Sequence, residues 1–504
     1  MRIVLDRSDD APLYLQLKEQ LVALIVSGGL SPGSRLPPTR DLARQLKVSR
    51  ITVVNAYADL AAEGLISSHV GRGTFVTALP EPAAPAVTPP DAPDIWPPWW
   101  PGRLSAHTML RQMMHMTHQP EVISFADGAP ATEFLPVAPF REAINAVLRR
   151  DGADALQYDV AEGYAPLRAA IAHYLQEQGA KTTARQVLIS SGCQQGLDLV
   201  VQVLAQPGDS ILVESPTYLG ALDLFEARHL RVVGVPVDEE GLRVELLESY
   251  TLKHRPKLLY IAPTFQNPTG ATMPLPRRRA LLEIADKYGV TVLEDGVYNS
   301  LRYEGEQLPS LTALDEREIV VHVSSFSKIL LPGIRVGYLV AAEPLYERLV
   351  AAKQTMDIYT GSLDQRALHA YLAAGQLPEH VEGVRRAYRE RRDTMLESAR
   401  RYLPSEARWT KPQGGIYLWL KAPPDLSITQ LYLLAVQHGT AFAIGSVFFP
   451  QGRAEPCLRL NFASHPPDVI REGMRRLGMA WQELQGQAKT EIGPLPAQQV
   501  FQLL

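Results

Sequence analysis

The chain has 504 residues, 46% of them hydrophobic, and its 54 acidic residues against 50 basic ones give a net charge of −4. The length favours about three domains and the hydrophobic fraction suits packed globular structure, while the charge excludes a generally polybasic chain, so any contact with nucleic acid must be local. Two cysteines, Cys193 and Cys457, exclude a disulfide framework or a cysteine-built metal cluster, and no apolar run approaches the roughly 20 residues that span a bilayer. Met1–Arg7 lacks an apolar core of signal-peptide length. A soluble cytoplasmic protein with no metal site is expected.

In chain order, residues 11–28 read as a helix, with Leu13, Leu17, Leu21, Leu24 and Ile25 at helical spacing. Ser31–Pro37 is a turn-rich break. Thr39 can cap a short helix through Leu46, Lys47-Val48 form a tight turn, and Ser49 can cap a further helix to Glu63, which Gly64 ends. Two short helices across a tight turn suggest helix-turn-helix, the second being the recognition helix. Leu65–Val76 follows as two β-prone runs about Gly71-Arg72-Gly73, a hairpin suited to a wing. Residues 1–78 hold nine Lys/Arg against seven Asp/Glu, but within 35–50 Arg35, Arg40, Arg44, Lys47 and Arg50 face only Asp41. That cluster lies where such a module meets phosphates; the alternative is a small helical bundle with a solvated basic face. Arg35, Arg40, Ser49, Arg50, Thr52 and Asn55, with Arg72 on the wing, are the candidate DNA contacts.

Leu79–Pro101 contains nine prolines in 23 residues, which rules out a helix or an interior strand. Extended at about 3.1 Å per residue, such a segment reaches roughly 70 Å. Trp96, Trp99 and Trp100 within it are expected to dock on the large domain. Residues 121–480 then alternate strand-like and helical stretches, the pattern of an α/β domain with a largely parallel sheet. Strands are expected at Gln186–Ser190, Ser210–Glu214, Leu230–Val235, Lys257–Ala262, Val290–Glu294, Ile319–Val323 and Tyr338–Ala341.

The chemistry concentrates just after these strands, where open α/β sheets bind ligands. Ser191-Gly192-Cys193-Gln194 opens a helix, so its amides offer an anion site, although ordinary strand-to-helix punctuation has the same look. Tyr218 can stack on a ring or merely pack; Asn267 can donate to a ligand oxygen or merely form a turn. Asp295, an acid directly after an apolar strand, must find a partner, and Tyr298 lies three residues on. Lys328, in Ser324-Ser325-Phe326-Ser327-Lys328 and followed by Pro332–Tyr338, sits at a strand end with Ser325 and Arg335 near enough in sequence to bind a phosphate. A lysine amine for a cofactor aldehyde and an aspartate for a pyridine nitrogen are what a pyridoxal phosphate (PLP) site needs.

In this ordered set of motifs, residues 121–480 resemble a fold-type-I, class I/II aminotransferase and residues 11–78 a GntR-type winged helix-turn-helix. The fusion resembles the MocR-type regulators of the GntR family. The implied layout is a DNA-binding domain over 1–78, a Pro/Trp-rich linker over 79–120, a PLP-binding domain over 121–485 and a tail over 486–504. The resemblance makes Lys328 the catalytic lysine that bonds PLP, Asp295 the pyridinium partner, Asn267 and Tyr298 the partners of its phenolic oxygen, and Tyr218 the stacking aromatic. Phosphate falls to the Cys193 and Gln194 amides, Ser325 and Arg335. Tyr158 matches a tyrosine that reaches the phosphate from the other subunit of a dimer, and Arg459 an arginine that clamps a substrate carboxylate. Cys193 departs from the hydroxyl residue of many aminotransferases, which puts a side-chain phosphate bond in doubt.

Two functions follow. In one, the protein is a transcriptional regulator whose DNA binding responds to an amino compound, or to PLP itself. In the other, it is a working aminotransferase with an accessory DNA-binding domain. The basic module on a long proline linker favours regulation.

Overall fold

The structure is a computed structural model that describes residues 13–26, 30, 33–46, 48–62, 66–69, 73–77, 121–450 and 456–488. The expected 79–120 linker with its three tryptophans, Arg72 at the wing tip, Lys47, Gly64 and the chain beyond 488 lie outside the described residues. The chain divides into two compact units, Met1–Arg103 and Leu104–Leu504.

The first unit carries helices α1 (Leu13–Val26), α2 (Thr39–Leu46) and α3 (Arg50–Ala62) with strands β1 (Arg35–Leu36), β2 (Ile66–His69) and β3 (Gly73–Val76). Leu17 and Leu21 of α1, Leu42 and Ala43 of α2, and Val53, Ala56 and Leu60 of α3 close one core, with i, i+3, i+4 spacing giving α1 and α3 a buried stripe. The Ser49 hydroxyl accepts the Thr52 N–H at 3.2 Å, the cap expected for α3. Thr39 does not cap α2: it is already the first helical residue, and Pro38 O accepts the Leu42 N–H at 3.0 Å. The expected hairpin forms, pairing Ile66 with Val76 and His69 with Gly73. Its unforeseen third strand is β1, where Arg35 pairs with Phe75 inside the stretch read as a break.

The second unit begins with β4 (Ile123–Ser124) and is built on strands β5 (Val187–Ser190), β6 (Ser210–Ser215), β7 (Arg231–Asp238), β8 (Gly241–Leu242), β9 (Leu258–Ile261), β10 (Thr291–Asp295), β11 (Val320–Ser325) and β12 (Gly337–Val340). These eight, after β4, form one sheet in the order β5-β12-β11-β10-β9-β6-β7-β8. Neighbouring strands run parallel except where β12 meets β5 and β11 and where β8 meets β7. The strands read as unbroken apolar runs because both faces are covered. Leu212, Leu259 and Val292 pack on one face with Leu281; their neighbours Ile211, Leu258 and Leu293 pack on the other with Leu197 and Phe225.

A smaller antiparallel sheet, ordered β13-β14-β17-β16, joins β13 (Arg408–Trp409), β14 (Tyr417–Lys421), β16 (Ala443–Ile444) and β17 (Cys457–Asn461), while β15 (Thr440–Ala441) pairs with β4. The last helix among the described residues, Pro467–Ala488, runs three residues past the expected domain end at 485. Among the described residues no helix is long and apolar enough to cross a membrane.

Candidate functional site

The carboxyl ends of β5, β6, β9, β10 and β11 open on a cavity of about 620 Å³, within the range of small-molecule sites. β5 delivers the chain to Gly192, whose φ of +83° suits glycine. A Cβ there would lie 2.5 Å from Arg335 Nη2, so the missing side chain lets the guanidinium approach the start of helix Cys193–Leu204. The first amides of a helix have no partner within it, and with Arg335 they make an anion cradle at Cys193 and Gln194. Arg335 is itself left-handed, with φ +52°, and donates to Pro332 O at 3.5 Å. Ser325, the last residue of β11, lines the same cavity and its hydroxyl accepts the Ser327 N–H at 3.3 Å. The Gln194 side chain is committed elsewhere: it donates to Gly220 O at 2.7 Å and accepts from Tyr218 Oη at 3.4 Å, which orients that ring on the wall.

Asp295 ends β10 and is 6% exposed. Its Oδ2 accepts from Tyr260 Oη at 2.8 Å, and its Oδ1 accepts the Val297 N–H at 3.3 Å with Cys193 Sγ at 3.9 Å. Burial pushes its pKa up; the Tyr260 and Val297 bonds and the charges of His322 and Lys328 pull the other way. Burial, then the Asp295 charge, push the Cys193 thiol up as well, so it stays protonated.

Lys328 follows β11 and donates from Nζ to Gly128 O at 2.8 Å. Arg459, on β17, donates to Asn267 Oδ1 at 2.9 Å and to Ala126 O at 2.6 Å. Its guanidinium carbon lies 4.1 Å from the Tyr417 ring centre and 4.8 Å from that of Phe448, and its buried Nε has no hydrogen-bond partner among the described residues. Tyr298 donates to Tyr417 Oη at 3.3 Å. Asn267 and Tyr298 both line the cavity, Asn267 held by Arg459 and Tyr298 by Tyr417.

The residues present fit PLP. A buried carboxylate held by neutral donors suits a cationic ring nitrogen, since an unpaired buried charge is costly; an anion cradle lies at the helix start; and an amine opens on the same space. Lys328, Asp295, Tyr298, Asn267, Tyr218, Cys193, Gln194, Ser325, Arg335 and Arg459 all line the cavity. Tyr158 does not: its side chain is 74% exposed and packs edge-on to Tyr359, with ring centres 5.5 Å apart. Sequence reasoning missed Tyr260, Tyr417, Gly128 and Phe448. The signal for Tyr417 is the Gly414-Gly415 pair just before it, where a Cβ on Gly414 would collide with Leu301 O and Phe265.

In the first unit, Arg35, Arg40, Ser49 and Arg50 are exposed. Thr52 is half-buried, its hydroxyl 2.8 Å from that of Ser49. Asn55 is on α3, but its side chain and all of Arg72 lie outside the described residues. Ile51, 63% exposed beside Arg50, was not foreseen as part of this surface.

The family described as aminotransferase class I and II matches residues 120–477, and bacterial regulatory proteins of the GntR family match residues 13–76. A 2-aminoadipate transaminase of Thermus thermophilus is 41% identical over 383 residues, covering 75% of this chain and 94% of its own. The probable rhizopine catabolism regulatory protein MocR of Rhizobium meliloti is 30% identical over 490 residues, 96% of each chain. Among solved structures, the Thermus thermophilus alpha-aminoadipate aminotransferase LysN, complexed with N-(5'-phosphopyridoxyl)-L-leucine, is 38% identical with a TM-score of 0.70, over 76% of this chain and 100% of that one.

Proposed function

The chain belongs to the MocR-type regulators of the GntR family, DNA-binding proteins with a PLP-dependent aminotransferase class I and II domain, and from that premise we propose that it senses an amino compound, or PLP itself, in the cavity around Lys328. The observation that carries this reading is the meeting of Lys328, Asp295 and Arg459 in one cavity of a chain whose other unit is a DNA-binding module. When bound, PLP supplies an aldehyde that bonds amines and a ring that withdraws electrons. Asp295 would hold the ring nitrogen, the amides of Cys193 and Gln194 with Arg335 and Ser325 would hold the phosphate, and Tyr218 would stack on the ring. The two guanidinium nitrogens of Arg459 bonded to Asn267 and Ala126 fix its orientation, and Nε remains for a ligand carboxylate. Lys328 Nζ, which opens on the same cavity, would be the chain's own amine facing that aldehyde.

Regulation requires the ligand to prefer one DNA-binding state of the protein over another. A ligand that changes DNA affinity tenfold has its own affinity changed tenfold by DNA. The protein works as a homodimer in the cytoplasm, with the exposed Tyr158 of one chain completing the phosphate site of the next.

The second reading is a working aminotransferase, favoured by the completeness of the site: Lys328, freed, would take a proton from the ligand Cα as general base and, as general acid, deliver it to the cofactor rather than back to Cα. Titrating the PLP-loaded protein with a panel of amino acids and amines, while following both its affinity for DNA beside its own gene and keto-acid formation, separates the two. A DNA response to one compound at slow or absent turnover supports sensing. Ordinary transaminase turnover with DNA binding unmoved by every compound supports the enzyme.

A further inference from the structure

Helix Leu345–Asp357 ends against the back of the phosphate cradle. Lys353 is fully buried and donates to both carboxylate oxygens of Asp357, at 2.7 and 2.9 Å. Asp357 Oδ2 also accepts from Gln195 Nε2 at 2.7 Å and from the Ser191 hydroxyl at 3.4 Å. Gln195 returns the grip, its Oε1 accepting the Ser191 N–H at 2.6 Å. Ser191 and Gln195 bracket Gly192, Cys193 and Gln194, so one carboxylate fixes both sides of the turn that carries the cradle amides.

The same corner leads outward. Ile358 has φ +66° and ψ −58°, and the Tyr359 N–H donates to Asp357 O at 2.7 Å. That is a γ-turn of positive φ, rare for any residue and more so for a β-branched one. Backbone in such a region persists where its surroundings over-determine it. Here Asp357 is held on one side, and Tyr359 packs against Tyr158 on the other.

We propose that Asp357, neutralised by Lys353 and clamped to Gln195 and Ser191, is a positioning residue for the cofactor phosphate. An acid so close to an anion site would repel phosphate if unpaired; the buried ammonium of Lys353 cancels that charge while leaving the carboxylate free to orient the turn. The inference rests on the PLP reading of the cavity.

The test compares affinity for PLP with affinity for pyridoxal, which lacks the phosphate, by equilibrium dialysis of full-length apo-protein. Gln195→Leu removes the clamp and leaves the ion pair; Lys353→Met leaves the clamp and uncovers the Asp357 charge. Each is expected to weaken PLP binding by about tenfold, for Gln195→Leu the worth of one hydrogen bond to a charged group and for Lys353→Met through repulsion by the uncovered carboxylate, and to change pyridoxal binding less than about twofold. The Lys353→Met loss should shrink in high salt; the Gln195→Leu loss should not. Equal losses for both ligands in Gln195→Leu, or no loss, would overturn the proposal, and that variant decides the matter if Lys353→Met does not fold. Failure of the wild type to bind PLP would instead sink the cofactor reading beneath it.

Discussion

Tyr260 on β9 and Asp295 on β10 stand on adjacent parallel strands, and the phenol donates to the carboxylate at 2.8 Å. Both groups are buried, and because the donors to Asp295 (the phenol, the Val297 N–H and the Cys193 thiol) are all neutral, they partly satisfy the acid and leave its charge available to a ring nitrogen. Removing that bond with Tyr260→Phe should weaken PLP binding by about tenfold, the worth of one hydrogen bond to a charged group. Asp295→Ala should weaken it further. Dialysis followed by absorbance of retained cofactor measures both; equal binding in all three proteins would remove Asp295 from the site.

The exposed basic residues of the first unit give a salt-dependent prediction. Arg40→Ala and Arg50→Ala should each weaken DNA binding and lower the slope of log affinity against log salt by about one for each phosphate that is no longer neutralised. Fluorescence anisotropy across a salt series checks this. If both variants bind as the wild type does, the basic face is only solvated surface.

How much of this was legible in the sequence depends on range. The seven expected strands each appear within a few residues of their stated ends, because a doubly covered strand is a short apolar run that needs no knowledge of its neighbours. Lys328 and Asp295 were legible for the same reason: each lies at the carboxyl end of such a run, Asp295 as the last residue of β10 and Lys328 three residues past the end of β11. Arg459 sits on a strand of the smaller sheet, and its partner Asn267 lies 192 residues away, a meeting that no local pattern encodes. Tyr260 looked like one more apolar strand residue until β10 placed a carboxylate beside it. β1 was missed because two residues between prolines and glycine carry no strand signal of their own; pairing with β3 creates it.

Glu214, near the end of β6, gives a pH prediction. It is buried, accepts the Ala262 N–H at 3.0 Å, and burial pushes its pKa from 4.5 up to about 8 against that bond and one from Gln266. The folded protein therefore keeps this proton up to about pH 8, whereas the unfolded chain loses it near 4.5. Between those values the folded state binds the extra proton, so stability falls as pH rises through the window. Glu214→Gln should flatten the decline of Tm between pH 5 and 8; an unchanged slope would mean that Glu214 is ionised in the fold.

Tyr158 predicts the assembly. An exposed tyrosine that completes a neighbour's site requires at least a dimer, most simply of two-fold symmetry. Light scattering should give twice the 55.7 kDa chain mass. A monomer that binds PLP as tightly as any other form would leave Tyr158 without a role.

The most direct measurement is made on Lys328→Ala. The substitution removes the amine proposed to bond the cofactor and leaves the cradle, Asp295 and the DNA-binding module in place. The variant should fold and bind its DNA with wild-type affinity in the absence of amines. After dialysis and borohydride reduction it should retain no covalently attached PLP, and its DNA binding should no longer respond to the compound that shifts the wild type. A variant whose DNA binding responds to that compound as the wild type does would contradict the account, because the switch would then operate without Lys328.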